Sequence, residues 1–158
     1  MTMLDCSQFR SLIIEPVLSK LKVYSKGAEE LLVFTCAAES LGGTLLAQIK
    51  GPALGIFQME PNTYTDIWTN YIRARNQLAT LMALHFGCNR VPDIDRMIYD
   101  LHFATAMARI HYLRVTANIP DPANVDAIWD YYKKYYNTEQ GKAKKEDAIK
   151  KYQAFIRT

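Results

Sequence analysis

The segment from about Gly27 to Leu41 constrains this chain more than any other, because it is apolar almost all round, with Leu31, Phe34, Ala38 and Leu41 along one stripe. A helix without a wet face has to be enclosed by other elements. Its longest apolar stretch, Leu31 to Ala38, is interrupted by Thr35 and falls far short of the ~20 residues that span hydrocarbon. The enclosure must therefore come from the rest of the chain. Gly42-Gly43 stands ready to take the left-handed turn that ends such a helix.

Apolar spacing of three and four residues recurs from end to end and strand-like alternation is scarce, so the expected class is mainly α. Leu12, Ile13, Val17, Leu18 and Leu21 form the expected core face of a first helical segment over about 5–24, which Pro16 breaks or restarts. Between Gly43 and Pro61 the helical period disappears and Gly51-Pro52 marks a turn, which predicts irregular or short extended structure. Thr63 and Asp66 resemble a capping box opening a helix through Ile67, Trp68 and Tyr71, with Gly87 as the stop. Asp93 is the expected N-cap of a long helix carrying Met97, Leu101, Ala104, Ala108 and Tyr112. Asp121-Pro122 opens the next, with Val125, Ile128, Trp129, Tyr132 and Tyr136 on one face. After a polar loop over 137–142, a last helix turns Ala148, Ile149, Tyr152, Phe155 and Ile156 inward.

At 158 residues one domain is expected, 1–158, with the N-terminal segment packed on a motif-bearing part of about 28–158. A formal charge of +3 is too small an excess to imply nucleic acid, and the lysines after Gly141 alternate with Glu146 and Asp147 as on a solvated helix face. Cys6, Cys36 and Cys88 are odd in number and widely spaced, which predicts free thiols. His85, His102 and His111 lack the spacing of a metal site, so neither metal nor cofactor is expected. The N-terminus lacks a basic start followed by a continuous apolar core, so neither a signal peptide nor membrane insertion is expected.

Glu39 is the residue out of place. It sits near the C-terminal end of the apolar helix, where both desolvation and the negative end of the macrodipole disfavour its charged form. A carboxyl that stays protonated near neutral pH is what a general acid requires.

Glu39-Ser40, then Gly55-Ile56-Phe57-Gln58-Met59, then the Ala106–Leu113 helix ending in Tyr112-Leu113, then Tyr136-Asn137-Thr138-Glu139-Gln140-Gly141-Lys142 follow one another in this order. The series resembles the ordered motifs of soluble lytic transglycosylases and goose-type lysozymes: an E-S pair, a G-L-M-Q-like loop, a helix ending in Y-L and a Y-N-A-G-x-G-like segment. The N-terminal segment combined with the G-P-A-L-G-I-F-Q-M-E-P and Y-Y-N-T-x-x-G-K runs also resembles proteins of tailed bacteriophages. The stretch from Met59 to Ala106 is longer than in the compact family pattern, and Thr138-Glu139 replaces the small A-G pair.

The resemblance implies a lysozyme-like fold with a small irregular or β-containing lobe beside a cleft. It makes Glu39 the acid/base that cleaves the bond between N-acetylmuramic acid and N-acetylglucosamine. Ser40, Gly55 and Gln58 then line the saccharide cleft, Tyr136 directs its hydroxyl toward the Glu39 carboxyl, and Asn137 supports the loop. It further implies peptidoglycan glycan strands and phage virion proteins as partners, and a virion or host-cytoplasmic location before the cell wall is reached. One acid/base suffices when the muramic C6 hydroxyl closes a 1,6-anhydro ring, whereas a hydrolase needs a second carboxylate. Glu60 and Asp66 are the candidates for that second role. The alternatives are a water-using muramidase of the same fold and a catalytically inactive phage structural or assembly protein.

Overall fold

The computed structural model describes residues 3–138 and 141–158 and is mainly helical. Helix α1 spans 6–20 and opens on Asp5, whose carboxylate accepts from the Gln8 N–H at 2.9 Å. Pro16 does not break it. The turns before the proline widen into a π-helical segment, Phe9–Ile14, and α-helix resumes over Glu15–Lys20. Such a widening takes up the mismatch that the missing donor and bulky ring create. Val17, Leu18 and Leu21 are buried as their spacing predicts, but Leu12 lies on the outer face and is 59% exposed.

Helix α2, Lys26–Ser40, is capped by the Ser25 hydroxyl, which accepts from the Ala28 N–H at 3.0 Å. Every residue from Leu31 to Ala37 is buried, so the helix has no wet face through its centre. It packs against α1 and three later helices: α6 (Leu101–Leu113), α7 (125–137) and α8 (Lys145–Phe155). Its left-handed cap is Leu41 at φ 54°, one residue earlier than the glycine pair. Near its N-terminal end, Arg10 of α1 donates to Glu29 and to both carboxylate oxygens of Glu30 at 2.7 to 2.9 Å. Tyr152 of α8 donates to Glu30 Oε1. Paired in this way, these charges fix the directions of three helices, and breaking one partner would strand the others.

Residues 41–60 form the irregular lobe, held by isolated antiparallel bridges between Ala47 and Leu54 and between Leu54 and Met59. Leu54 and Met59 exchange two backbone hydrogen bonds of 3.0 Å around a tight turn over 55–58. Gly55 takes φ +81°, and a Cβ there would lie 2.4 Å from the Met97 carbonyl oxygen.

Several helix starts differ from expectation, two of them because another polar side chain takes the cap. Helix α3 (61–72) begins at Pro61 after Glu60, not at Thr63, and the Asp66 carboxylate is taken by Asn70 and Arg114. Helix α4, Asn76–Phe86, ends on Gly87 at φ +65°. The long helix expected from Asp93 is divided into α5, Arg96–Tyr99, and α6, because Asp100 leaves helical geometry and caps Phe103 at 3.0 Å. Asp121 accepts from the Ala123 N–H in a turn, and Asn124 caps α7 instead. Helix α7 ends in a π-helical stretch, Lys133–Asn137, while α8 ends at Phe155 and leaves Ile156 41% exposed. Residues 139–140 of the predicted polar loop lie outside the described residues. Cys6, Cys36 and Cys88 are buried free thiols, and among the described residues no helix is long and apolar enough to cross a membrane.

Gly55→Ala combines a strained positive φ with a clash against backbone, so it is expected to cost about 2 kcal/mol or more of stability. Urea unfolding of the purified variant checks this, and an unchanged midpoint would mean that the turn gives way easily.

Candidate functional site

The left-handed cap at Leu41 turns the chain away from α2 immediately after Glu39, and leaves that carboxyl facing the space between the irregular lobe and α7. This space is a cleft of about 660 Å³, within the range of small-ligand sites. Glu39, Gln58, Glu60, His111, Tyr132, Tyr136 and Asn137 all line it, with Lys142, Lys144 and Lys151 along one side.

Glu39 is largely enclosed and its pKa is pushed up to about 7, chiefly by desolvation, with the charge of Glu60 acting in the same direction. Three groups oppose the shift without cancelling it. Tyr132 donates its hydroxyl to Glu39 Oε1 at 2.7 Å, Lys151 contributes positive charge, and the Asn137 side chain lies within hydrogen-bonding reach. Tyr132 is 1% exposed and packs its ring on Phe34 of α2 at 5.5 Å, so its hydroxyl is held in place by the same core that desolvates the acid. Burial and the neighbouring Glu39 carboxyl raise the Tyr132 pKa far above that of a free phenol, and Tyr132 remains a hydrogen-bond donor.

The expected contact of the Tyr136 hydroxyl with Glu39 is corrected. The Tyr136 hydroxyl donates to the Phe57 carbonyl at 2.6 Å, which ties α7 to the irregular lobe, and it is Tyr132, one turn earlier, that reaches Glu39. Both tyrosines share one face of the helix, and their spacing alone does not distinguish them. The Tyr136 ring still lines the cleft, stacked on His111 with centroids 4.6 Å apart.

Two further expectations are corrected. Ser40 is fully buried beneath the cleft, where its hydroxyl donates to the Cys36 carbonyl at 3.1 Å and accepts from the Gly43 N–H at 3.0 Å. It fastens the helix end and does not line the cleft. At Gly55 the close neighbour is the Met97 backbone, so this glycine serves packing and does not face a ligand.

Gln58 does line the cleft, in a left-handed conformation at φ 47° that places its Nε2 2.8 Å from the Gly55 carbonyl oxygen. With one amide hydrogen committed to Gly55, Oε1 is left without a partner among the described residues. Asn137 accepts from Lys133 Nζ at 2.7 Å, and the same ammonium donates to the Gly141 carbonyl, which draws the polar loop toward the cleft. Tyr112 is structural: 1% exposed, its hydroxyl lies 2.8 Å from Thr35 Oγ1 of α2.

The two candidate second carboxylates separate. Asp66 is bound to Arg114 at 2.6 Å and does not line the cleft, whereas Glu60 does. Among the described residues no three His, Cys, Asp or Glu side chains converge as a metal-binding set. His111 lines the cleft without a signal in the sequence, since its position beside Tyr112 marks only a helix face.

Comparison with protein-family models, curated proteins and solved structures returns no match to this chain.

The folded protein binds the Glu39 proton more tightly than the unfolded chain, whose carboxyl titrates near 4.5. Its contribution to stability is thus fully present below pH 4.5, declines as pH rises, and is lost above about 7. Glu39→Gln removes the ionisation and retains an acceptor for Tyr132. The variant should match the native protein at pH 4 and exceed it at pH 8.5, by up to about 3 kcal/mol. Chemical denaturation at the two pH values tests the sign, and a variant less stable than native at pH 8.5 contradicts it.

Proposed function

We propose that this protein is a lysozyme-like peptidoglycan-cleaving enzyme, with Glu39 as its general acid and a lytic transglycosylase reaction. The observation that carries the reading is a carboxyl held near pKa 7 on the wall of an open cleft, at the motif position where the resemblance expects the acid. Protonated and hydrogen-bonded by Tyr132, Glu39 can donate to the glycosidic oxygen as the bond from that oxygen to muramic C1 breaks. The carboxylate then accepts the proton of the muramic C6 hydroxyl as that oxygen bonds C1. No water is consumed, and Glu39 returns to its protonated form.

Gln58 and the Tyr136 ring, on the wall beside Glu39, suit a sugar that has both polar edges and an apolar face. Lys142 and Lys144, without an ion pair among the described residues, suit a polymer carrying carboxylates. The resemblance implies a tailed-phage setting, with action from the virion or from the host cytoplasm.

A second reading, a muramidase, has one observation in its favour. Glu60 lies in the cleft, close enough for its charge to raise the Glu39 pKa, and offers a carboxylate for activating water. The products distinguish the two. Mass spectrometry of digested peptidoglycan should find 1,6-anhydromuramic ends, one water lighter than hydrolysed ends and resistant to borohydride. Glu60→Gln should leave those products unchanged, whereas reducing ends that vanish in Glu60→Gln would establish the muramidase.

Glu39→Gln should lower turnover about 100-fold to 10,000-fold while remaining folded. Full activity in that variant would remove Glu39 from the reaction, and intact sacculi after prolonged incubation with native protein would favour an inactive structural role. Because only protonated Glu39 can donate, kcat/KM should fall as pH rises through about 7. Tyr132→Phe removes a hydrogen bond that favours the carboxylate, so it should displace that fall to higher pH.

A further inference from the structure

His111 takes no part in the cleavage step, yet it lines the same cleft, and its surroundings fix which of its ring nitrogens carries the proton. Its Nδ1 lies 3.3 Å from Arg114 Nη2. A guanidinium has only donors, so Nδ1 must be the acceptor and the proton resides on Nε2. Arg114 is itself anchored by Asp66, Nη1 to Oδ2 at 2.6 Å, and the other Asp66 oxygen accepts from Asn70 at 2.7 Å. On its face the ring is fixed by stacking against Tyr136. The stacking holds the ring, and the Arg114 contact favours the Nε2–H tautomer.

The Nε2–H has no acceptor among the described residues, and it is not sealed inside the protein. Among those residues only Trp68 Nε1 is a fully buried side-chain polar atom without a partner. His111 Nε2 is therefore not fully buried, on a side chain that lines the cleft. Burial and the Arg114 charge hold the His111 pKa down to about 4, so the donor is uncharged throughout the range in which Glu39 titrates.

We propose that His111 donates its Nε2–H to the acetamido carbonyl of an N-acetylhexosamine bound in the cleft, and that Arg114 and Asp66 are positioning residues that hold the required tautomer. This rests on the saccharide reading given above. A neutral donor has no charge with which to attract a carboxylate, so it selects by hydrogen bonding, and an amide carbonyl is the best uncharged acceptor on such a sugar. Gln58 supplies the complement. Its Oε1 is free to accept the acetamido N–H, and Tyr136 touches both sides, stacking on His111 and donating to the carbonyl of Phe57, which precedes Gln58.

The experiment is a titration of full-length protein labelled with 15N in histidine, using tri-N-acetylchitotriose as probe and cellotriose, which lacks acetamido groups, as control. The free protein should show His111 as the Nε2–H tautomer, chitotriose should shift its Nε2 resonance, and cellotriose should not. His111→Leu should weaken chitotriose binding about tenfold, roughly 1.4 kcal/mol, and His111→Gln, whose amide can donate, should recover most of it. Arg114→Leu should populate the other tautomer and weaken binding in parallel, which a merely structural role would not produce. An Nδ1–H tautomer in the native protein overturns the inference, as does a His111 signal unmoved by bound chitotriose, an unchanged dissociation constant in folded His111→Leu, or absence of chitotriose binding. Release of peptidoglycan fragments by the same preparation tells the two claims apart. With cleavage intact, only the role of His111 falls, and without cleavage or binding the saccharide reading falls too.

Discussion

Enclosing a helix that has no solvated face is the constraint on which the rest of this structure depends. Helix α2 buries every residue from Leu31 to Ala37, so α1, α6, α7 and α8 have to pack around it. The Arg10, Glu29 and Glu30 cluster sets directions near one end. At the other, the left-handed Leu41 and the Ser40 hydroxyl turn the chain sharply and free the space that becomes the cleft. Glu39 lies at that boundary, late enough in the helix to be desolvated and near enough to its end to reach the opening.

One helix, α7, then reaches both Glu39 and the irregular lobe. Tyr132 is rigid because its ring belongs to the core against Phe34, and its hydroxyl fixes the Glu39 carboxyl. Tyr136, one turn later, clamps the irregular lobe through Phe57. The geometry of the acid and the width of the cleft are therefore coupled through a single element. Desolvation dominates the electrostatics of the acid, and donors that favour its charged form moderate the shift without reversing it.

The helical class, the buried central helix, the irregular lobe and the displaced acid were legible in the sequence because each depends on periodicity or on one residue's contrast with its neighbours. Helix starts were less so: Asp93, Asp100, Asp121 and Asn124 are all competent caps, and tertiary packing decides which of them serves. Roles that depend on a long-range partner were not legible at all. Ser40 was expected in the cleft and is buried beneath it, Gly55 faces Met97, and the hydroxyl on Glu39 belongs to Tyr132. The position of His111 in the cleft gave no signal, since it depends on Arg114 three residues later and on a ring from another helix.

The proposed activity depends on the protonation state of one carboxyl. Site-resolved 13C NMR of the glutamate side chains, assigned by comparison with Glu39→Gln, measures it without reference to any substrate. The Glu39 carboxyl should titrate with a midpoint near 7. A midpoint near the ordinary glutamate value of about 4.3 would mean that the residue is ionised at neutral pH and is no general acid, whatever the cleft around it binds.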